Sequence, residues 1–471
     1  MRLIDQHYID GAFVESHGRE VMDSINPTNR QVLARVTLGD EEDARHAIAA
    51  AKRALPDFAR TTKEERVALL RRLHKIVSTR IPALTTAMIE EYGGVAQFSE
   101  LIVASGADAF HAAAEALEKM SLVQKWDKTT VYYEPVGVAG LITAWNANAL
   151  FICLKLASAI GAGCTTVIKP SEMSAIQTQV MLEALHEAKL PKGVYNVVNG
   201  LGGTVGAEFV RNPDVAKISF TGSAAVGQSI MRDGAATMKR VTLELGGKSP
   251  TILLDDADLG KAIPMALGIA FMNSGQACAA GTRLLVPKSR LNEIKKAIFG
   301  AMSSITVGDP ADPKIAVGPM VSEKQYERVQ SYIRKGIADG AEVLAGGEGH
   351  PSGLDGGNFV KPTVFVNVKN SMAIAQEEIF GPVLSVIAYE NDEDAISIAN
   401  DSKYGLHGLV LGTDAERARH VAKRIHAGRV VINVMRDDPQ APWGGFKHSG
   451  VGREYGAFGI EAFLEPRAIL E

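Results

Sequence analysis

Three residues of this chain are of types, and in settings, suited to chemistry at a carbonyl carbon. Cys278 lies in Asn273-Ser-Gly-Gln-Ala-Cys-Ala-Ala-Gly281, where two glycines and small neighbours predict exposed backbone turning at a helix end. A thiol has a reference pKa of about 8.5, so a nucleophilic role needs dipoles or cations that favour the thiolate. The other reading of such a residue is a small buried apolar side chain, the reading given to Cys153 and Cys164 in their apolar segments. Glu244, in Val241-Thr-Leu-Glu-Leu-Gly-Gly-Lys-Ser-Pro250, ends a β-like run before a Gly-Gly turn. A carboxylate in a semi-apolar setting can act as a general base, although a surface strand residue has the same local pattern. Asn146, in Thr143-Ala-Trp-Asn-Ala-Asn148, follows another strand pattern and could donate its amide to an oxyanion, or could simply be a turn asparagine.

Two further segments have the character of nucleotide contacts. Lys169-Pro-Ser-Glu172 puts a cation, a hydroxyl and a carboxylate just beyond a strand pattern ending at Ile168, where a ribose could be held. Its alternative is a capped loop entering a helix. Phe220-Thr-Gly-Ser-Ala-Ala-Val-Gly227 places Gly222 and Gly227 at a strand-to-helix turn that could approach phosphates, without the full Gly-x-Gly-x-x-Gly fingerprint.

The elements that must position these residues follow from patterning. Short strands with turns at Asp10-Gly11 and Asn26-Pro27 come first, then helices over Asp40–Phe58, from a capping box at Thr62 and Glu65 to Tyr92, and over Ala96–Lys119. Between Val136 and Leu245, β-branched runs alternate with helical segments, which predicts a mostly parallel sheet with its ligand crevice beyond the carboxyl ends of the strands. A second alternating region runs from Thr251 to about Val431 and predicts a second α/β domain. With 471 residues, two or three domains are expected at about 150 residues each.

Composition narrows the function classes. At 46% hydrophobic, 22% charged and a net charge of −4, the chain reads as a packed globular protein with no basic surface for nucleic acid or anionic membrane. Its most apolar stretch, Ala149 to Ile168, carries Lys155 and two glycines and is a poor membrane span. The N-terminus has no apolar leader pattern, so a cytoplasmic location is expected. Three irregularly spaced cysteines and eleven histidines give neither a disulfide framework nor a metal site.

Taken together, these segments resemble the aldehyde dehydrogenase superfamily over essentially the whole chain. The carrying motifs are Leu243-Glu-Leu-Gly-Gly-Lys-Ser-Pro250, Gly275-Gln-Ala-Cys278, Glu377-Glu-Ile-Phe-Gly-Pro-Val383 and Pro442-Trp-Gly-Gly-Phe-Lys-His-Ser-Gly-Val-Gly-Arg-Glu454. The resemblance implies a Rossmann-like cofactor domain (1–120 and 135–245), a catalytic α/β domain (246–430) and oligomerisation elements (121–134 and 455–471), with a homodimer or homotetramer as the assembly. It implies Cys278 as nucleophile, Asn146 and the Cys278 backbone N–H as oxyanion donors, and Glu244 as the base that activates water to hydrolyse a thioester. The implied cofactor contacts are Thr143, Trp145, Lys169, Ser171, Glu172 and Gly202, then Gly222, Ser223, Gln325, Arg328, Glu378 and Phe380. Glu172 favours NAD, because a carboxylate accepts from a free ribose 2′-OH and repels a 2′-phosphate; use of NADP as well is the alternative.

Around Asn146 the chain departs from the proline and aromatic common in that superfamily, with Ala144 before Trp145 and Ala147-Asn148-Ala149 after. A widened aldehyde tunnel is the expectation, with Phe151 and Phe271 as apolar walls and Trp443 as a further substrate residue. Arg436 and Asp437 fall in the loop that reads the tail of a polar, aromatic or semialdehyde substrate, where Arg436 either binds the polar end of the tail or is a solvated surface arginine. The rivals are transfer of the thioester to coenzyme A, against which Glu244 argues, and a catalytically retired binding protein, against which the retention of Cys278, Glu244 and Asn146 together argues.

Overall fold

The computed structural model describes residues 1–471. Five parallel strands form the centre of an eight-stranded sheet, in the spatial order Arg240–Glu244, Val215–Thr221, Val138–Ile142, Thr165–Lys169 and Tyr195–Val197. Antiparallel strands Gln6–Ile9 and Ala12–Glu15 extend one side, and Gly450–Val451 closes the other against Arg240–Glu244. Strand side chains alternate between faces, which explains how one run feeds two cores: Ala139 and Leu141 pack in one apolar cluster, Val138 and Ile142 in the other.

A second sheet has seven strands, in the order Glu342–Ala345, Thr363–Val366, Val383–Tyr389, Arg283–Pro287, Pro250–Leu253, His407–Leu411 and Arg429–Ile432. All its pairings are parallel except that of the edge strand Glu342–Ala345. A small antiparallel sheet joins Val123–Trp126, Thr129–Pro135 and the C-terminal Leu464–Leu470 within one chain. No helix is long and apolar enough to cross a membrane.

Local chemistry accounts for the element ends. Thr62 and Glu65 form the reciprocal capping box, with Glu65 N–H donating to Thr62 Oγ1 at 3.1 Å and Thr62 N–H to Glu65 Oε2 at 2.7 Å. Where one helix was expected from there to Tyr92, the structure has two, Lys63–Ser78 and Ile81–Tyr92. Pro82 accounts for the break, since it has no N–H to donate to the preceding turn of a continuous helix and is well accommodated at the start of a new one. Gly93, left-handed at φ 81°, stops the second helix.

The chain passes from the first sheet to the second through Gly246-Gly247 and then returns: Leu243 pairs with Val451 and Glu244 with Gly450. The expected domain scheme assigned nothing to residues 431–454. This return involves pairing across two hundred residues, which no local pattern announces.

Candidate active site

Register gathers the sequence motifs at one end of the first sheet. Ile142 is paired with Lys169 and Phe220, and Thr221 with Glu244, so four neighbouring strands end in one row and the segments that follow them project together. The second sheet contributes from its amino ends: Pro250, Arg283 and Val383 begin adjacent strands, and the segments before them carry Gly246, Cys278 and Glu378. Between the two lies a crevice of about 270 Å³. Asn146, Glu244 and Cys278 line it together with Trp145, Gly222 and Ser223. Gln325, Arg328, Glu378 and Phe380 form the opposite wall.

Cys278 sits beyond the helix Leu259–Phe271, which ends in a kink where Asn273 (φ 53°), Ser274 (φ 57°) and Gly275 (φ 72°) are all left-handed. A Cβ on Gly275 would come within 2.2 Å of the Gly381 backbone, so only glycine allows the loop to lie against the Glu378–Phe380 segment. The loop is pinned by Gln276, which is buried. Its Nε2 donates to Tyr92 Oη at 3.2 Å and Pro319 O at 3.3 Å, and its Oε1 accepts from Val321 N–H at 3.0 Å. Its main-chain carbonyl accepts from Asn146 Nδ2 at 3.1 Å, which sets the amide donor beside the cysteine loop.

Burial disfavours the charged forms of both the thiol and the carboxyl. Burial, then the negative charges of Glu378 and Glu244, push the Cys278 thiol up to about 12, the opposite of the depression that a nucleophile would need. Glu244 is 4% exposed and neither carboxylate oxygen has a hydrogen-bond partner. Burial and then the nearby Glu454 carboxylate hold it well above the usual carboxylate range. Beside it, Lys155 Nζ bonds Glu454 Oε1 at 2.5 Å and Ser219 Oγ at 3.1 Å. An ionised carboxyl with no partner pays desolvation uncompensated, so the raised pKa follows, and the fraction that is deprotonated is a strong base for a water that enters the crevice.

The expected nucleotide contacts divide. Lys169 is buried at its strand end, where its Nζ donates to Gly200 O at 3.1 Å and reaches Glu172 Oε2 at 3.4 Å. Burial lowers its pKa, against the raising effect of Glu172. Ser171 caps the short turn after it, accepting from Met173 N–H at 3.3 Å, and Gly202 begins the π-helical turn Gly202–Gly206 with nothing within 4 Å of its Cβ position. Ser223 caps the helix Ala224–Gly234, and the neighbouring Thr221 hydroxyl is buried without a partner while lining the crevice. A helix start beside an orphaned hydroxyl fits a pyrophosphate. Glu378 Oε1 accepts from Gly247 N–H at 3.0 Å, and burial raises its pKa. Gln325 donates to Phe380 O at 2.7 Å and Arg328 to Glu378 O at 2.6 Å, so both hold the loop that presents Glu378 and Phe380. The Trp145 ring meets Phe380 edge-on at 5.3 Å. The Thr143 side chain is turned to structure, donating to Asn148 Oδ1 at 3.1 Å.

The expected substrate contacts are less united. Phe151 is half-buried, but Phe271 is 4% exposed and packs in the core of the second sheet, so it is not a wall of this crevice. Arg436 is exposed, Asp437 accepts from Arg429, and the Trp443 ring is covered by the Arg429 guanidinium at 5.0 Å. Sequence reasoning missed Gln276, Tyr92, Lys155 and Glu454. Gln276 and Glu454 fall inside the quoted motifs, and Lys155 is a lone charge in an apolar helix, which by itself demands a buried partner.

A crevice of this kind, between the carboxyl ends of a parallel sheet and a thiol-bearing loop, belongs to the cysteine-dependent oxidoreductases that act on carbonyl compounds. A family model described as the aldehyde dehydrogenase family matches residues 13–469. A putative aldehyde dehydrogenase of Staphylococcus epidermidis is 44% identical over 470 residues, covering 100% of this chain and 99% of the relative. Among solved structures, aldehyde dehydrogenase C of Pseudomonas syringae, a cysteine-to-alanine mutant complexed with NAD+ and octanal, superimposes with a TM-score of 0.97 at 41% identity, covering 99% and 96% of the two chains. An aldehyde dehydrogenase of Mycobacterium tuberculosis complexed with NAD+ gives 0.96 at 39% identity, covering 100% and 98%. The chain belongs to the aldehyde dehydrogenase family and is an NAD(P)-dependent oxidoreductase that converts aldehydes to carboxylic acids.

Proposed function

We propose that the chain oxidises an uncharged, medium-length aldehyde with NAD, using Cys278 as nucleophile, Asn146 as oxyanion donor and Glu244 as hydrolytic base. The observation that carries this reading is the shared crevice lined by all three. The Cys278 thiol gives up its proton to water as its sulfur adds to the aldehyde carbon, and the oxygen becomes an oxyanion stabilised by Asn146 Nδ2 and the Cys278 backbone N–H. Each such donor lowers the barrier by roughly 3 kcal/mol. The former aldehyde carbon then gives up its hydride, for which NAD would be the acceptor when bound, and the adduct becomes the Cys278 thioester. Glu244 then takes a proton from water, which attacks the Cys278 thioester, releases the acid and regenerates the thiol.

Lys169 and Glu172 would hold the adenosine ribose, and the start of the helix Ala224–Gly234 with Thr221 would hold the pyrophosphate. Glu172 supports NAD over NADP, since its carboxylate accepts from a free 2′-OH and repels a 2′-phosphate. For the aldehyde tail, Arg436 stands in solvent and Asp437 is taken up by Arg429, while the exposed Val434 and Met435 offer an apolar rim to the same loop. Octanal bound to the Pseudomonas relative agrees with an apolar tail. The small sheet of Val123–Trp126, Thr129–Pro135 and Leu464–Leu470, with Trp126 60% exposed at its edge strand, supports a homodimer or homotetramer built on it. Three free cysteines agree with a reducing, cytoplasmic setting.

The test is reduced-dinucleotide formation at the absorbance of NADH across aliphatic, aromatic and carboxylate-bearing aldehydes, with NAD and NADP in parallel and Cys278→Ala as control. The expected ranking puts apolar aldehydes and NAD first. Preference for acidic aldehydes that Arg436→Ala abolishes would overturn the assignment of the tail, and activity surviving in Cys278→Ala would overturn the mechanism.

A further inference from the structure

The last turn of the helix Ile81–Tyr92 carries two adjacent buried side chains that reach opposite parts of the crevice's framework. Glu91 Oε1 accepts from Ile176 N–H at 2.8 Å and Ser24 Oγ at 3.1 Å, while Oε2 accepts from Gln177 N–H at 3.0 Å and Gln177 Nε2 at 3.3 Å. Ile176 and Gln177 open the helix Ala175–Glu187, whose own N-cap, Ser174, makes no capping bond and leaves its hydroxyl without a partner. The first N–H groups of a helix have no acceptor within it, and the N-cap side chain normally supplies one. Here a carboxyl from a different helix does so; burial pushes its pKa up to about 7 against these hydrogen bonds, and its ionised form faces the positive end of the helix dipole. The turn directly before this capped start is Glu172–Ser174, which carries Glu172.

Tyr92 faces the other way. Its hydroxyl accepts from Gln276 Nε2 at 3.2 Å, and its ring lies 5.6 Å from that of Trp145. Gln276 is two residues from the nucleophile, and its carbonyl holds Asn146. One helix end is thereby tied to the segment bearing Glu172 through Glu91, and to the cysteine loop through Tyr92.

We propose that Glu91 and Tyr92 are positioning residues with separable tasks: Glu91 sets the ribose-holding segment by capping the helix after it, and Tyr92 sets the cysteine loop through Gln276. The inference rests on the reading that Lys169 and Glu172 hold the dinucleotide ribose. A general loss of packing would disturb binding and turnover together, whereas two separate tethers split them.

The experiment compares Glu91→Gln, Tyr92→Phe and Glu172→Gln in the full-length enzyme, reading kcat, KM for NAD and the rate of Cys278 alkylation by iodoacetamide. An amide at position 91 can accept on one side only, so Glu91→Gln is expected to raise KM for NAD by about 3–10-fold, the range of one or two lost hydrogen bonds, with kcat within about twofold. Tyr92→Phe is expected to leave KM for NAD unchanged and to alter kcat and the alkylation rate by about threefold or more. If Glu91→Gln does not fold, Gln177→Met, which removes only the side-chain donor to Oε2, is expected to raise KM for NAD by about twofold. Changes in kcat and KM that run in parallel for both variants would overturn the proposal. A KM shift for Glu172→Gln without one for Glu91→Gln or Gln177→Met would overturn the proposal alone, and no shift for Glu172→Gln would overturn the ribose assignment and the proposal with it.

Discussion

The side-chain amide of Asn146 donates to the main-chain carbonyl of Gln276 at 3.1 Å, so the amide proposed as oxyanion donor and the loop bearing Cys278 are fixed to each other. Asn273 reinforces the junction by donating to the carbonyls of both residues, at 3.2 Å and 3.1 Å. Asn146→Ala is therefore expected to lower kcat by about 10²–10³-fold in an NADH-formation assay. A loss of less than tenfold would remove Asn146 from the oxyanion role.

Gly275 is constrained twice over, by its φ of 72° and by the 2.2 Å that would separate a Cβ from the Gly381 backbone. Gly275→Ala is expected to displace the cysteine loop and to lower kcat by more than tenfold while the far-UV circular dichroism stays that of the parent, because the contact is local and no sheet strand is involved. Unchanged kcat would show that the loop tolerates a side chain.

Glu244 has a pKa raised by burial and by the charge of Glu454, so its base form grows as pH rises and the hydrolytic step should accelerate with it. Glu244→Gln is expected to retain a pre-steady-state burst of NADH while steady-state turnover falls by about a hundredfold or more and loses that pH dependence. Stopped-flow absorbance across pH separates the two phases; absence of a burst would place the role of Glu244 earlier, in activating the thiol.

The Cys278 thiol, pushed up to about 12 in the cofactor-free protein, should react slowly with iodoacetamide at neutral pH and faster at each step towards pH 10, with no plateau near 8.5. Glu378 is the largest charge opposing the thiolate, so Glu378→Gln is expected to increase the alkylation rate at pH 8. A plateau below pH 9 would show that the thiolate is stabilised by a group other than those around it here.

What could be read from the sequence follows the range of the interaction. The helix Ala96–Lys119, the strand Thr363–Val366 and the Thr62–Glu65 capping box agree with the structure because each is decided by residues a few positions apart. Turn chemistry at an element's end marked Cys278, Glu244 and Asn146 as candidates, while local pattern alone left each open to a structural reading and only the joint resemblance of the motifs implied their roles. The break at Ser78 was missed although Pro82 signalled it. Phe271 packs in the core of the second sheet, a placement local pattern does not give, because apolar side chains on a helix look alike until packing decides which face the core. Lys155 with Glu454, Gln276 with Tyr92 and the pairing of Gly450–Val451 depend on contacts between distant segments, and no window of sequence contains both partners.

The return of Gly450–Val451 to the strand that ends in Glu244 also bears on how the protein is made. A ribosome releases the chain from its N-terminus, at about 5–20 residues per second, and early domains fold while later ones are still being synthesised. For the whole time that the second sheet is emerging, the strand Arg240–Glu244 is an uncovered sheet edge, open to pairing with another nascent chain. Any truncation before Gly450, however well both sheets form, leaves that edge and its carboxylate exposed.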